Sequence, residues 1–459
     1  GGSKPVMGPM KSDHVETFCG WLLEKALQGG AVDADVFYSE GESRHISLRE
    51  GLPEEDTSGF GHSVTLRLLM EGGRQGLATV NRFGRADLSE LVKWSLANAA
   101  VSEPDPFAEI GEGPGLPDGE DLRLEDPDLK AITHEQRTRA CLEMTEAARG
   151  ADKRVVSVRS ASWSDGWGAI FLANTRGFHA WQRGTTASCG VAVVLQENES
   201  YEMGGFGEDS RFAGTLDPAA VARQAVLKTG MILGGTPVET GRMTVFLDPE
   251  SCADFVDAIG DLFLAPNILR NKSLLRGKLG TVVASGALSL VDDGRLPGGM
   301  ASSPFDGEGV RTRRTSLLSS GVLENYLYDL RSARESGVSS TGNAVRGNGT
   351  APDAGCSNLF PVPGGKDPET LYAEAGRGLL VTEIMGLHTI NPVSGDFSLG
   401  VKGVLMEGVD PVRPVAEVTV AGNLADWLRQ VHAVGSDLHF FGGTGGCTMV
   451  INDVAVAGS

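Results

Sequence analysis

The chain lacks the features that mark several broad classes of protein. Its six cysteines are scattered and none forms a C-x-x-C pair, which argues against a disulfide framework or a thiolate zinc knuckle and favours a reducing cytoplasm. Lysine and arginine number 40 against 60 aspartates and glutamates, and the net charge of -20 disfavours nucleic acid and anionic membranes as partners. No apolar run reaches the roughly 20 residues that span a bilayer, and residues 1–10 carry no secretory pattern. Small molecules, peptides and other proteins remain as partners, and we expect a cytoplasmic location.

The turn-rich stretch 234–241 is the best candidate for a domain boundary. With 459 residues the chain is too long for one ordinary core, so we expect two domains, residues 11–235 and 236–459. Amphipathic helices and strand-like segments share the first part, whereas short strands and glycine-rich turns dominate the second. These patterns predict an α+β fold, with N-terminal helices packed on an antiparallel sheet and a strand-rich C-terminal domain that forms a curled sheet or barrel.

Standard catalytic and nucleotide-binding motifs are missing from the sequence. There is no G-x-S-x-G nucleophile elbow, and Gly277-Lys278 is followed by leucine rather than by the serine or threonine of a phosphate loop. His134-Glu135 opens a helix, but a zinc-binding helix needs a second histidine one turn later, where Thr138 and Arg139 stand. These patterns therefore indicate no standard metal or nucleophile site.

Three polar segments in the second half of the chain are candidates for a functional site. Residues 386–400 set an imidazole, an amide and a carboxylate around Pro392 and Gly395, ahead of a strand-like alternation. Residues 304–310 place two carboxylates around a glycine, and residues 340–346 form a polar loop with a guanidinium. Paired acids can serve acid–base chemistry, although a turn that satisfies its own backbone explains the same residues. The candidate residues are His388, Thr389, Asn391, Asp396, Phe397, Asp306, Glu308, Asn343 and Arg346.

Taken together and in this order, the three segments resemble the TldD/PmbA family, and in particular its PmbA (TldE) branch, often labelled modulator of DNA gyrase. The matching phrases are Phe305-Asp-Gly-Glu-Gly-Val310, Ser340-Thr-Gly-Asn343 with Arg346, His388-Thr-x-Asn-Pro-x-x-Gly-Asp-Phe-Ser398 and Val420-Ala-Gly-Asn423. The phrase that begins at His388 is specific, whereas the glycine turns alone would not be. A hairpin around residues 71–76 extends the resemblance to nearly the whole chain.

The resemblance implies a two-subunit zinc metallopeptidase that cleaves unfolded peptides, including the leader of a peptide antibiotic and an antitoxin. In such a pair the TldD-type subunit holds zinc on an H-E-x-x-x-H helix, with a cysteine nearer its C-terminus, and the PmbA-type subunit lacks these ligands. The counterpart of that helix here begins at Asp248-Pro249, and residues 251–264 contain no histidine. A catalytic zinc needs about three protein ligands, and His388 and Cys447 would supply two at most. We therefore expect no zinc in this chain and zinc in a TldD-like partner.

Three interpretations of the function stay open. In the first, the chain is a noncatalytic subunit whose residues around His388 line a peptide cleft or the dimer interface, and an extended peptide adds to a sheet edge. The second is a stand-alone peptidase with an unrecognised site around His388, Asp396 and Cys447. The third is a regulatory or binding protein of the gyrase-modulator type. The sequence does not define the natural substrate or whether the chain alone forms a homodimer.

Replacement of both Asn391 and Asp396 by alanine tests the first interpretation. If these side chains shape the wall of the cleft, the double variant lowers peptide cleavage by the reconstituted pair while the chain stays folded. A fluorogenic unfolded peptide reports cleavage, and circular dichroism reports folding. Cleavage at the native rate would contradict the assignment.

Overall fold

The computed structural model of the protein describes residues 8–115 and 119–458. The absence of a secretory pattern in residues 1–10 is an expectation that lies, for residues 1–7, outside the described part of the chain. No helix between residues 8 and 115 or between 119 and 458 combines the length and the apolar character needed to cross a membrane.

A six-stranded antiparallel sheet with four helices forms the first half of the chain. The helices are α1 (Ser12–Gln28), α2 (Arg85–Ala100), α3 (His134–Ala151) and α4 (Pro218–Ile232). The strands are β1 (Asp33–Arg49), β2 (Leu52–Leu69), β3 (Gln75–Val80), β4 (Val155–Asn174), β5 (His179–Glu197) and β6 (Ser200–Ser210). Their spatial order is β3-β2-β1-β4-β5-β6. One apolar core joins α1 and α2 to one end of the sheet, and a second core joins α3 and α4 to the other end.

The second half of the chain is rich in short strands. Its helices are α5 (Pro249–Gly260), α6 (Ala265–Leu269), α7 (Leu330–Ser336), α8 (Pro368–Ala375) and α9 (Leu424–Gln430). Its strands are β7 (Gly241–Leu247), β8 (Leu290–Asp293), β9 (Arg314–Ser319), β10 (Val322–Leu323), β11 (Ala344–Val345), β12 (Asp353–Ala354), β13 (Asn358–Pro361), β14 (Arg377–Met385), β15 (Asp396–Glu407), β16 (Asp410–Asn423), β17 (Val431–Val434), β18 (His439–Phe441), β19 (Thr444–Gly446) and β20 (Met449–Ala457).

Five of these strands form a closed barrel. They follow the order β16-β15-β14-β7-β20, and β16 closes the barrel by pairing with β20, with Val420 opposite Val456. A second six-stranded sheet has the order β10-β9-β8-β13-β19-β18. The predicted α+β class, with helices on an antiparallel sheet and a barrel-like C-terminal half, is therefore confirmed.

Helix α5 joins the barrel to the second sheet. The Asp248 carboxylate caps the helix by accepting a hydrogen bond from Ser251 N, and Pro249 occupies the first helical position. The apolar side of the helix enters the large core that also holds barrel residues, and it includes Cys252, Phe255, Val256 and Ile259. The opposite side of α5 does not enter this core and lies at the surface.

A matched pair of leucine truncations tests the assignment of the barrel core. Leu379 is fully buried there, whereas Leu279 is 46% exposed. Leu379→Ala should lower the free energy of unfolding by about 2–5 kcal/mol, because it removes contacts and leaves a cavity. Leu279→Ala should change that energy by about 0.5 kcal/mol or less. Urea unfolding followed by circular dichroism measures both, and equal losses would contradict the assignment.

Candidate functional site

A cavity of about 710 Å³ lies between helix α5 and the loop that precedes β15. One wall is the outer side of α5, and the other is the loop with His388. We call this cavity the α5 cleft, and its lining residues are Asp254, Asp257, Ala258, Asp261, Leu262, Asn267, Lys272, Ile384, Gly386, Leu387, His388, Ile390, Pro392 and Leu424. The structure thus brings the His388 loop against the helix that begins after Asp248, two segments that are far apart in the sequence.

The α5 wall of the cleft is acidic. Asp254 and Asp257 lie in α5 and Asp261 is its C-cap residue, and their three- and four-residue spacing sets all three along one side, opposite the apolar face of the helix. Burial, reinforced by the carboxylates of Glu250 and Asp248, raises the pKa of Asp254 to about 6. Burial also raises the pKa of Asp261. Sequence analysis did not single out these aspartates, although their helical spacing was visible and was the signal that could have found them.

The opposite wall is a loop held by its own hydrogen bonds. Asn391 Oδ1 accepts from the backbone N of Val393 and of Ser394, and Asn391 N donates to the Asp396 carbonyl. Asn423 Nδ2 donates to the Asp396 carboxylate at 3.0 Å and to Ser394 O at 2.8 Å. The amide of Asn391 and the carboxylate of Asp396 therefore maintain the shape of the loop, and Asn423 gives the Val420–Asn423 phrase a structural role.

The remaining candidates in this loop have different surroundings. His388 and Thr389 are exposed in a short 3-10 helix, and of these two His388 lines the cleft, while Thr389 Oγ1 donates to Gly386 O at 2.6 Å. Phe397 is buried, with its ring edge-on to that of Trp427 at a centroid distance of 4.7 Å. His388 is thus the predicted site residue that the structure places on the cleft wall.

Arg346 belongs to a buried charge cluster between the two halves of the chain, and Asn343 to a separate polar cluster within the second half. Arg67 Nη2 donates to Asp35 at 2.6 Å, and Arg346 donates to the same carboxylate through Nη1 and Nη2, both at 2.9 Å. Burial alone would raise the pKa of Asp35, but the two guanidinium groups lower it to about 2. Asn343 Nδ2 donates to the Asp292 carboxylate at 2.8 Å. These side chains connect strands and loops, and neither Asn343 nor Arg346 lines the α5 cleft.

Asp306 and Glu308 are also buried. The Asp306 carboxylate accepts from the backbone N of Glu308, Val310 and Ala344, and the Glu308 carboxylate accepts from Leu330 N. Burial raises the pKa of both acids, and for Glu308 repulsion by Asp306 adds to the effect. The bonds from Glu308 N and Val310 N fit a turn that satisfies its own backbone, whereas those from Ala344 N and Leu330 N attach the turn to other segments. A role of either acid in a peptide cleft stays a prediction, and neither lines the α5 cleft.

The donor groups near the cleft do not fit a catalytic zinc. Within residues 8–115 and 119–458, no group of three or more His, Cys, Asp and Glu side chains is arranged so that it could hold a metal ion. Cys252 and Cys447 are fully buried; burial raises the pKa of Cys252 to about 12, and it raises that of Cys447 strongly as well. Zinc is held by thiolates and imidazoles, and neither of these two thiols lines the α5 cleft. Cys447 also lies away from the residues that line the cleft around His388.

Three family models match the chain in succession. They describe PmbA/TldA metallopeptidase domain 1 at residues 34–99, the central domain at residues 127–232 and the C-terminal domain at residues 240–458. The chain therefore belongs to the PmbA/TldD family of metallopeptidases. The division into two domains at residue 235 stays a prediction.

Individual relatives agree with this membership. The chain is 27% identical to the metalloprotease PmbA of Escherichia coli O157:H7 over 431 residues, which cover 91% of this chain and 92% of the relative. The crystal structure of a putative modulator of DNA gyrase from Bacteroides thetaiotaomicron is 25% identical, with a TM-score of 0.89 over 98% of this chain and 100% of the other. TldE from Thermococcus kodakarensis, 21% identical, shares the fold with a TM-score of 0.88 over 96% and 100% of the two chains. The predicted resemblance to the PmbA branch is confirmed at the level of the family.

Neutralising Glu308 tests the effect of the buried acids on stability. The pKa of Glu308 is raised in the folded chain. The protonated side chain therefore adds to the free energy of unfolding below the ordinary glutamate pKa of about 4.3, and this stabilisation is lost as the pH rises through the raised pKa. Glu308→Gln carries no titratable proton, so its thermal midpoint should fall less over this pH range than that of the native chain. Glu324 is exposed, and Glu324→Gln is the matched control that should follow the native curve. Identical pH dependence for Glu308→Gln and the native chain would contradict the assignment.

Proposed function

We propose that the chain is the noncatalytic PmbA/TldE-type subunit of a cytoplasmic zinc metallopeptidase, and that a TldD-like partner supplies the metal. The observation that carries the proposal is the α5 cleft, in which the helix expected to correspond to the zinc helix presents two aspartates, with a third at its C-cap, and no imidazole. Carboxylates on one helical face, with neutral thiols behind them, differ from the histidine-containing ligand sets of zinc peptidases. The family includes both PmbA-type and TldD-type chains, which supports a pair of this kind.

The proposed substrate is an unfolded peptide that lies extended along the cleft. A cavity of about 710 Å³ between a helix and a loop has room for a segment of extended chain but not for a folded domain. Main-chain hydrogen bonds to a sheet edge give affinity with little dependence on sequence, which suits a peptidase for unfolded chains. In this arrangement His388 contacts the peptide or the partner from the loop wall, and Asn391, Asp396 and Asn423 hold that wall in place.

The division of roles is tested by measuring cleavage with the two subunits apart and together. A fluorogenic unfolded peptide is incubated with the chain alone, with a purified TldD-like partner, and with the mixture. We expect no cleavage by the chain alone and full cleavage by the mixture, which a zinc chelator abolishes.

The zinc content of the chain purified alone provides the second readout. We expect a zinc content far below one ion per chain, because the described donors do not converge on a metal site. Stoichiometric zinc together with cleavage by the lone chain would overturn the proposal and favour a stand-alone peptidase.

A further inference from the structure

Strand β2 has an open outer edge along more than half of its length. It pairs with β1 over residues 52–69, but β3 covers it only over residues 64–69. In the described part of the chain, residues 53–63 of β2 therefore have a strand neighbour on one side only. Residues 52–59 are all exposed, although they belong to a regular strand. An edge of this kind presents unpaired N–H and C=O groups that can bind another strand.

The pairing of β2 defines which of its backbone groups point to the open edge. Leu69 O accepts from Val32 N beside the start of β1, and Met70 N donates to Arg74 O on the β3 side, both at 2.8 Å. The register between β1 and β2 has no shift from residue 55 to residue 69. Because the direction of the peptide groups alternates along a strand, the residues that face the open edge are Asp56, Ser58, Phe60 and His62.

A cavity of about 930 Å³ lies beside β2 at the point where β3 ends. Glu40, His62 and Trp94 line it, and Trp94 is 47% exposed. Ser63 also lines the cavity, and its Oγ is buried without a hydrogen-bond partner among the described residues. A strand that continued along the edge of β2 would meet hydrogen-bonding groups and an aromatic ring in this cavity.

The charge of the edge limits what can bind there. Glu54, Glu55 and Asp56 follow one another near the start of β2. Each lies beside a basic side chain, of Arg49, His45 and His134 respectively, but these ion pairs are exposed and weak, so the carboxylates stay accessible to a further partner. Two copies of the chain that paired edge to edge about residues 54–56 would bring these carboxylates opposite each other, which destabilises such a pair. A strand with lysine or arginine side chains would instead meet opposite charge.

We infer that the outer edge of β2, residues 53–63, binds an extended polypeptide segment that carries basic side chains and adds it to the sheet as a further strand. Main-chain hydrogen bonds at Ser58, Phe60 and His62 provide the affinity, and the acidic run selects the charge. The identity of the segment as unfolded substrate rests on the proposed function. The site itself lies in the first half of the chain, apart from the residues of the α5 cleft.

Ser58 offers a matched pair of variants. Ser58→Pro removes the N–H that faces the open edge and leaves the pairing with β1 in place, because proline is tolerated on an edge strand. Ser58→Ala removes only the hydroxyl group. The probe is a fluorescein-labelled peptide of alternating lysine and threonine, about ten residues long so that it spans the edge. Fluorescence anisotropy with the purified full chain measures its dissociation constant.

Strand addition predicts that the native chain and Ser58→Ala bind the probe alike, and that Ser58→Pro binds it roughly tenfold more weakly through the loss of a backbone hydrogen bond. A glutamate–threonine peptide of the same length should bind the native chain roughly tenfold more weakly than the basic peptide does, or more weakly still. Equal affinities of Ser58→Pro and Ser58→Ala would overturn the site, and equal affinities of the two peptides would overturn the charge selection. A dimer that forms with Ser58→Ala and is lost with Ser58→Pro would assign the edge to a second copy of the chain instead.

A second variant keeps the inference testable if Ser58→Pro does not fold. The triple substitution Glu54→Gln, Glu55→Gln and Asp56→Asn removes the acidic run without changing the backbone. It should weaken binding of the basic peptide and reduce the dependence of that binding on salt, because exposed charges are screened by salt. Unchanged affinity would contradict the charge selection.

These outcomes are separable from those of the proposed function. The anisotropy assay uses the chain alone and requires no proteolysis. If binding of the probe depends on the β2 edge but the reconstituted pair does not cleave the peptide, the β2 site is supported and the proteolytic role is contradicted. If the reconstituted pair cleaves the peptide but Ser58→Pro does not change the dissociation constant of the probe, the proteolytic role is supported and the β2 site is contradicted.

Discussion

The pairing of Asp35 with Arg67 and Arg346 is the interaction on which the arrangement of the two halves depends. Asp35 and Arg67 belong to the first sheet and Arg346 to the second half, and all three side chains are at most 4% exposed. A buried charge without its partner carries a large desolvation penalty, so the loss of Asp35 would leave two buried guanidinium groups without their carboxylate. The ion pair between Asp35 and Arg346 holds the chain that follows Arg346 against β1, where Asn348 accepts a hydrogen bond from Ser39. Asn348 then lines the cavity beside β2, so the shape of that cavity depends on the same ion pairs.

Sequence patterns predict the fold class because they depend on local rules. Helix caps such as Asp248 with Pro249, and alternation such as Phe397, Leu399 and Val401, follow from the chemistry of neighbouring residues. The closure of the barrel does not follow from such rules, because it requires β16 to pair with β20 at the end of the chain. Strand pairing between distant segments is decided by the packing of the whole core.

The candidate site illustrates the same limit. His388, Asn391 and Asp396 stand out in the sequence as one polar turn, yet the structure gives them different tasks. Asn391 and Asp396 maintain the loop with Asn423, and His388 lines the cleft. The aspartates of the α5 wall show their helical spacing in the sequence, but only the fold brings them opposite His388. Asp306 and Glu308 were predicted as site residues because they are paired acids. Their partners are backbone N–H groups, which a pattern of residue types does not predict.

The central claim is that this chain contributes a cleft wall while another subunit contributes the metal. Native mass spectrometry of the purified complex with a TldD-like partner tests the claim most directly, since it reports subunit and metal stoichiometry together. We expect one zinc ion per heterodimer, which stays with the partner when the two subunits dissociate in the gas phase. A zinc ion that stays with this chain, or two ions per heterodimer, would contradict it.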